Sequence, residues 1–114
     1  MRTLAGAVLL AGVLVAPLLH AADVTKGRSL SEKGVEGPPC ASCHGLDGAK
    51  PTAAENPILA GQHYDYLLKS LKEYKSTRRS NPVMQGIAAK LSTKDMEDLA
   101  AWFASQKSPL RYQR

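Results

Sequence analysis

The sequence predicts an all-α domain of about four helices, and three observations carry that reading. Apolar residues recur at helical spacing near 62–75 and again near 92–103. No stretch alternates with the period of a strand, and no internal repeat is present. Pro and Gly gather in short stretches between the periodic segments, where they end helices and form turns.

Ahead of the first helix lies a different kind of segment. Arg2 is followed by a run over residues 4–19 that is rich in Ala, Val and Leu and carries no charge, ending at Pro17-Leu18-Leu19-His20-Ala21-Ala22. A basic start, a short apolar run and a small-residue end are the marks of a secretory signal peptide. Sixteen residues beside a proline also fall short of the roughly 20 that span a bilayer. The expected organisation is therefore a cleaved signal over 1–22 and a single domain over 23–114, exported to the periplasm, with no stable membrane span after cleavage. Its 114 residues hold 15 Lys+Arg against 10 Asp+Glu. Removing Arg2 with the signal leaves 14 against 10, a net +4. Much of the 44% apolar content departs with the same segment. The remaining core is thin for so small a domain, which calls for a staple.

The first helix is expected over 24–33, with Gly27 inside it. A mid-helix glycine costs about 1 kcal/mol against alanine, so its presence points to close approach by another element. The turn-rich run Gly34-Val35-Glu36-Gly37-Pro38-Pro39 leads to Cys40-Ala41-Ser42-Cys43-His44, and Gly45-Leu46-Asp47-Gly48 forms a tight turn beyond it.

Cys-x-x-Cys-His is the c-type haem attachment signal. Two thiols three positions apart reach the two vinyl groups of one porphyrin, and the adjacent histidine is carried beneath the ring to the iron. A local disulfide suits an exported protein, and a thioredoxin-type pair is a known redox device, but neither uses His44 and no βαβ pattern surrounds the pair. A zinc site from Cys40, Cys43, His44 and His63 has the wrong spacing for a known finger.

A second iron ligand separates an electron carrier from a haem open to oxygen, peroxide or gases. Three residues are candidates. Met96 shares the apolar stripe Met96, Leu99, Ala100, Phe103 and reads as core packing. His63 opens the helix near 62–75 and reads as solvent-facing. Met84, in Asn81-Pro82-Val83-Met84-Gln85-Gly86, is bounded by breakers that place it in a loop. It is either a gap filler or the ligand, and the forty-residue interval from His44 with amphipathic segments on both sides favours the ligand. A short turn with Ile87 and Leu91 follows it.

The helix near 62–75 turns Tyr64, Leu67, Leu68, Leu71 and Tyr74 inward and carries Lys69, Lys72 and Lys75 outward, followed by Arg78 and Arg79. That run is either an ordinary solvated face or a docking patch for an acidic partner. The last helix opens on Ser92 with Asp95 as a capping box, with acidic residues at its start and Lys107 near its end.

In this order the pieces resemble a class I cytochrome c, and in particular the single-haem relatives of the dihaem bacterial cytochromes c of the periplasm. The motifs are Cys40-Ala41-Ser42-Cys43-His44-Gly45, Pro57-Ile58-Leu59-Ala60-Gly61-Gln62, Tyr64 with Leu67 and Leu68, Asn81-Pro82-Val83-Met84, and Leu91-Ser92 through Trp102-Phe103. The resemblance implies one covalent haem c with its iron, thioethers to Cys40 and Cys43, His44 as proximal and Met84 as distal axial ligand. It also implies a hydrogen bond from His44 to the Pro57 carbonyl and packing of Trp102 against Gly27. The sequence departs from the family at Ser31, where an aromatic is common, and in the longer run of residues 34–39.

The implied function is one-electron transfer without catalysis. The partners would be redox proteins such as a respiratory complex, terminal oxidase, peroxidase or dehydrogenase, with no nucleic acid. Two rival readings share the motifs: a haem subunit of a larger dehydrogenase such as a sulfide-oxidising flavocytochrome c, and a haem enzyme or gas sensor with an open sixth position.

Overall fold

A computed structural model describes residues 2–14 and 21–110. The described residues form five helices: α1 (Val24–Lys33), α2 (Cys40–His44), α3 (Tyr64–Lys75), α4 (Pro82–Ala88) and α5 (Thr93–Ala104). No strand occurs among the described residues. Residues 2–14 form no helix and leave Leu4, Leu9, Leu10 and Leu14 exposed. The expected end of the signal at Leu18, Leu19 and His20 lies outside the described residues. No helix among the described residues is long and apolar enough to cross a membrane.

The first helix and the last cross each other, and Gly27 is why they can. A Cβ at that position would stand 1.9 Å from the Asp98 carbonyl oxygen and 2.9 Å from Trp102 Cβ, so only a hydrogen fits. Beside this crossing, Asp98 is buried at 2% exposure. Its Oδ1 accepts the Asp23 backbone N–H at 2.8 Å and pairs with the Lys94 ammonium. Asp23 in turn caps α1, its carboxylate accepting the Lys26 N–H at 3.0 Å. The Asp98 hydrogen bond holds Lys94 above the ordinary lysine value of 10.5. The pair therefore stabilises the fold throughout the range below that value, and is lost as pH rises through the higher folded-state value.

The α5 start is the capping box read from the sequence. Asp95 N donates to Ser92 Oγ and Ser92 N donates to Asp95 Oδ2, both at 3.0 Å. From there α5 buries Met96, Leu99, Ala100 and Phe103 against Leu67 of α3 and Leu91. Met96 is thus core, 2% exposed. Leu30, Leu59 and Tyr64 close over the cluster. Ser31 is fully buried on α1, its hydroxyl without a hydrogen-bond partner.

One expectation needs correcting. Met84 lies in a helix and not in the loop that its flanking Pro82 and Gly86 suggest, since both of those residues fall within α4. Proline is well tolerated at the first helical position, where its missing N–H has no partner anyway. Asn81 completes the start by accepting the Met84 N–H through Oδ1 at 3.0 Å. Asn-Pro here opens a helix. The described residues thus form five helices where about four were expected, since both the Cys40–His44 turn and the Pro82–Ala88 segment are helical.

Two substitutions probe the crossing. Gly27→Ala gains about 1 kcal/mol of helix propensity but drives a methyl into the Asp98 carbonyl at an overpacking cost of roughly 1–3 kcal/mol, for a net loss of up to about 2 kcal/mol. Asp98→Ala leaves the Asp23 N–H without its acceptor and costs about 1–3 kcal/mol. Denaturant midpoints of the haem-loaded protein measure both losses.

Candidate functional site

The site begins with the geometry of one helical turn. Pro38 and Pro39 hold the approach extended, Pro39 being the N-cap at φ −68° and ψ 148°, and Gly45 ends the turn at φ 89°. Within Cys40–His44, the i, i+3 spacing sets both cysteines on one side of the turn. Both are free thiols, half-buried and not joined to each other. Burial pushes the Cys40 thiol up, opposed by its own backbone and by the Ser31 hydroxyl beside it.

His44, buried at 6% exposure, places Nδ1 2.9 Å from the Pro57 carbonyl oxygen. A carbonyl only accepts, so Nδ1 carries the proton and Nε2 keeps the lone pair. The loop beyond is tied back to the same turn. The Cys43 carbonyl accepts from Thr52 N at 3.0 Å and from Asn56 Nδ2 at 3.2 Å. The Gly48 carbonyl accepts from Leu59 N at 2.9 Å. These bonds bring residue 57 over residue 44.

Helix α2 packs on α1, while α4 packs on α3, and α2 and α4 do not touch. A cavity of about 440 Å³ borders both, lined by Cys40, Cys43, His44 and Met84 together with apolar side chains of α3, α4 and α5. The structure thus brings together Cys40, Cys43, His44, Pro57 and Met84 at one cavity. It does not bring in Met96 or His63. Met96 lies in the core, and His63 is exposed at the start of α3. No group of three His, Cys, Asp or Glu side chains able to hold a metal ion occurs among the described residues.

Two soft thiols, an imidazole with a free lone pair and a polarizable thioether, set in a largely apolar cavity of ligand-site size, fit a covalently attached haem. Arg79 and Ser70 also line this cavity and were not singled out for it from the sequence, whereas Tyr74 lies on the inward face expected of it. Arg79 was grouped with the basic run of α3. Its position beyond the last turn of that helix, just before Asn81-Pro82, was the signal that it leaves the lysine face.

Comparisons with known proteins agree with the chemistry. The cytochrome c family model matches residues 24–107. A thiosulfate dehydrogenase electron acceptor of Stutzerimonas stutzeri is 39% identical over 103 residues, covering 88% of this chain and 48% of that protein. Cytochrome c4 of Pseudomonas aeruginosa is 47% identical over 68 residues, covering 60% of this chain and 33% of that one. The solved cytochrome c4 of Acidithiobacillus ferrooxidans superposes with a TM-score of 0.68 at 32% identity, covering 78% of this chain and 52% of that chain. The chain spans about half the length, or less, of these relatives. Matched from residue 24 to residue 107, and sharing sequence and fold with cytochromes c4, it belongs to the cytochrome c family as a class I c-type cytochrome related to the dihaem members, with covalently bound haem c as its cofactor.

Proposed function

We propose that the chain is a periplasmic one-electron carrier in which Cys40 and Cys43 hold the haem as thioethers while His44 and Met84 are the axial ligands. The observation that carries this reading is the meeting of the four side chains at one cavity. Haem c, when bound, supplies the ferrous–ferric couple. The chain's own contribution is positional and electrostatic. His44 offers Nε2 because Nδ1 is committed to the Pro57 carbonyl, which fixes the ring and raises its basicity. Met84 is presented by a capped helix at a cavity lined largely by apolar side chains, and thioether ligation and burial of the haem would both favour a raised potential. With His44 and Met84 both offered to the iron, the chain would leave no coordination position for a substrate, which supports a carrier rather than a catalyst. The leucines of residues 2–14, exposed among the described residues, support removal of this segment as an export signal with a cut after Ala21 or Ala22.

The identity of the first relative, an electron acceptor for thiosulfate dehydrogenase, supports a dehydrogenase as the donor class. A permanently attached subunit of such an enzyme would share every feature above. Size-exclusion chromatography of a native extract separates a free shuttle from a bound subunit by the mass at which the haem elutes.

The basic run on α3 is not one patch. Lys69 pairs with Glu73 at 3.0 Å. Lys75 donates to the Leu91 carbonyl, and Arg79 turns to the cavity. What remains outward, Lys72 and Arg78, shares its surface with Asp65 and Glu73. This favours an ordinary solvated face. Electron-transfer rates with an acidic partner are expected to change little as ionic strength rises from 0.01 to 0.15 M, where the Debye length falls from about 30 to about 8 Å. A steep fall in stopped-flow rates restores the docking patch.

The ligand assignment has its own test. Met84→Ala is expected to abolish the weak sulfur-to-ferric-iron absorption band and lower the potential. If both survive the substitution, Met84 is a gap filler and the sixth ligand lies elsewhere.

A further inference from the structure

Asp98 is a buried carboxylate beside the residue that opens α1. A charge so placed is costly unless it is paired and hydrogen-bonded. Its Oδ1 has two partners, and they differ in kind. Lys94 supplies a cation, but from a side chain that is 42% exposed and that also donates to the Ala21 carbonyl at 3.2 Å. Asp23 supplies a neutral backbone N–H at 2.8 Å.

This end of the domain is short of positive charge. The carboxylates of Asp23, Glu97 and Asp98 all bear on Lys94, three anions around one ammonium. Burial and the same carboxylates push the Tyr64 phenol of α3 up, so it adds no charge at neutral pH. On α1, Arg28 is paired with Glu32, while Lys26 is exposed and gives its backbone N–H to the Asp23 carboxylate. The Asp23 nitrogen is also one end of a candidate export cut. Hydrolysis of the Ala22–Asp23 peptide bond consumes one water, leaving a carboxylate on Ala22 and an ammonium on Asp23. A cut after Ala21 leaves the Asp23 nitrogen an amide and puts the ammonium one residue away.

We propose that the cut falls between Ala22 and Asp23 and that the α-ammonium it creates docks on the buried Asp98 carboxylate, so that removal of the leader completes the lock between α1 and α5. The proposal rests on the export reading above and adds to it the bond that is cut and the place the new terminus takes. The nitrogen already stands at hydrogen-bonding distance, so docking needs no rearrangement. A donor that gains a charge roughly doubles its bond strength toward a carboxylate. Lys94 and the positive end of α1 weaken the hold of this amine on its proton, but the three carboxylates outweigh them. The α-ammonium therefore persists above the ordinary α-amine range of roughly 7.7–8.0. It stabilises the fold fully below that range, and the contribution is lost as pH rises through the higher folded-state value.

Intact mass and N-terminal sequencing of the exported, haem-loaded protein locate the cut. Asp23 is expected as the first residue, and Ala22 in that place overturns the proposal. Retention of residues 1–22 overturns the export reading itself, and so the two failures are told apart. Trace acetylation of the α-amine from about pH 6 to pH 10, against a peptide with the same first residues, tests the docking. The protein is expected to hold the proton about tenfold more tightly than the peptide; equal midpoints overturn the proposal. Asp98→Asn keeps an oxygen acceptor and removes the charge, so it is expected to return the midpoint to that of the peptide. A midpoint that stays high in this variant refutes the pairing. Should Asp98→Asn fail to fold, a haem-loaded chain made to begin at Ala22 keeps the Asp23 N–H and moves only the ammonium. Its unfolding equilibrium constant at pH 7 is expected to be about tenfold larger than that of the chain beginning at Asp23. Equal constants show that the amide alone makes the lock and overturn the assignment.

Discussion

The fold is arranged around a space it does not fill with its own side chains. Among the described residues eight buried apolar side chains form the core, three of them alanine or methionine on α5 and α4, and beside them lies a cavity of about 440 Å³. Haem seated there would bury apolar surface at roughly 25 cal/mol per Å², a large contribution beside the roughly 5–15 kcal/mol that holds an ordinary domain together. The polypeptide and its cofactor therefore have to be regarded as one folding unit, and each chain feature near the cavity has a double role, structural and electronic.

The crossing of α1 and α5 makes this arrangement possible. With Gly27 reduced to a hydrogen against the Asp98 carbonyl and Asp98 tying the start of α1 to α5, the two ends of the domain are locked together. The intervening chain is then free to form a rim. On one side of that rim α2 rests on α1, and on the other α4 rests on α3. The cavity is what separates them.

Much of this was legible from residue order. Gly27 inside an otherwise regular helix announced a close approach, and Ser92 with Asp95 announced the start of α5, because both signals depend on backbone geometry that neighbours cannot override. The Cys-x-x-Cys-His spacing was legible for a similar reason, since the chemistry dictates the interval. Met84 was harder. Proline and glycine were read as breakers, whereas proline at the first position of a capped helix is a starter, and Gly86 meets nothing within 4 Å and costs only propensity. Arg79 was illegible as a cavity residue because charge runs are read along one helix face, and the turn at Ser76-Thr77, with Thr77 at φ 66°, swings the chain off that face. Contacts decided by a third element leave no local trace.

The bond from His44 to residue 57 ends on a main-chain oxygen. Every amino acid carries that atom, so substitution at residue 57 cannot delete the acceptor; it can only displace it by altering the course of the loop. The orientation of the imidazole is in this sense insulated from drift in side-chain identity. Inheritance protects it through the path of the backbone, which Thr52, Asn56 and Leu59 hold in place with hydrogen bonds of their own. A lineage could vary what residue 57 displays to its surroundings while the histidine remained unchanged beneath it.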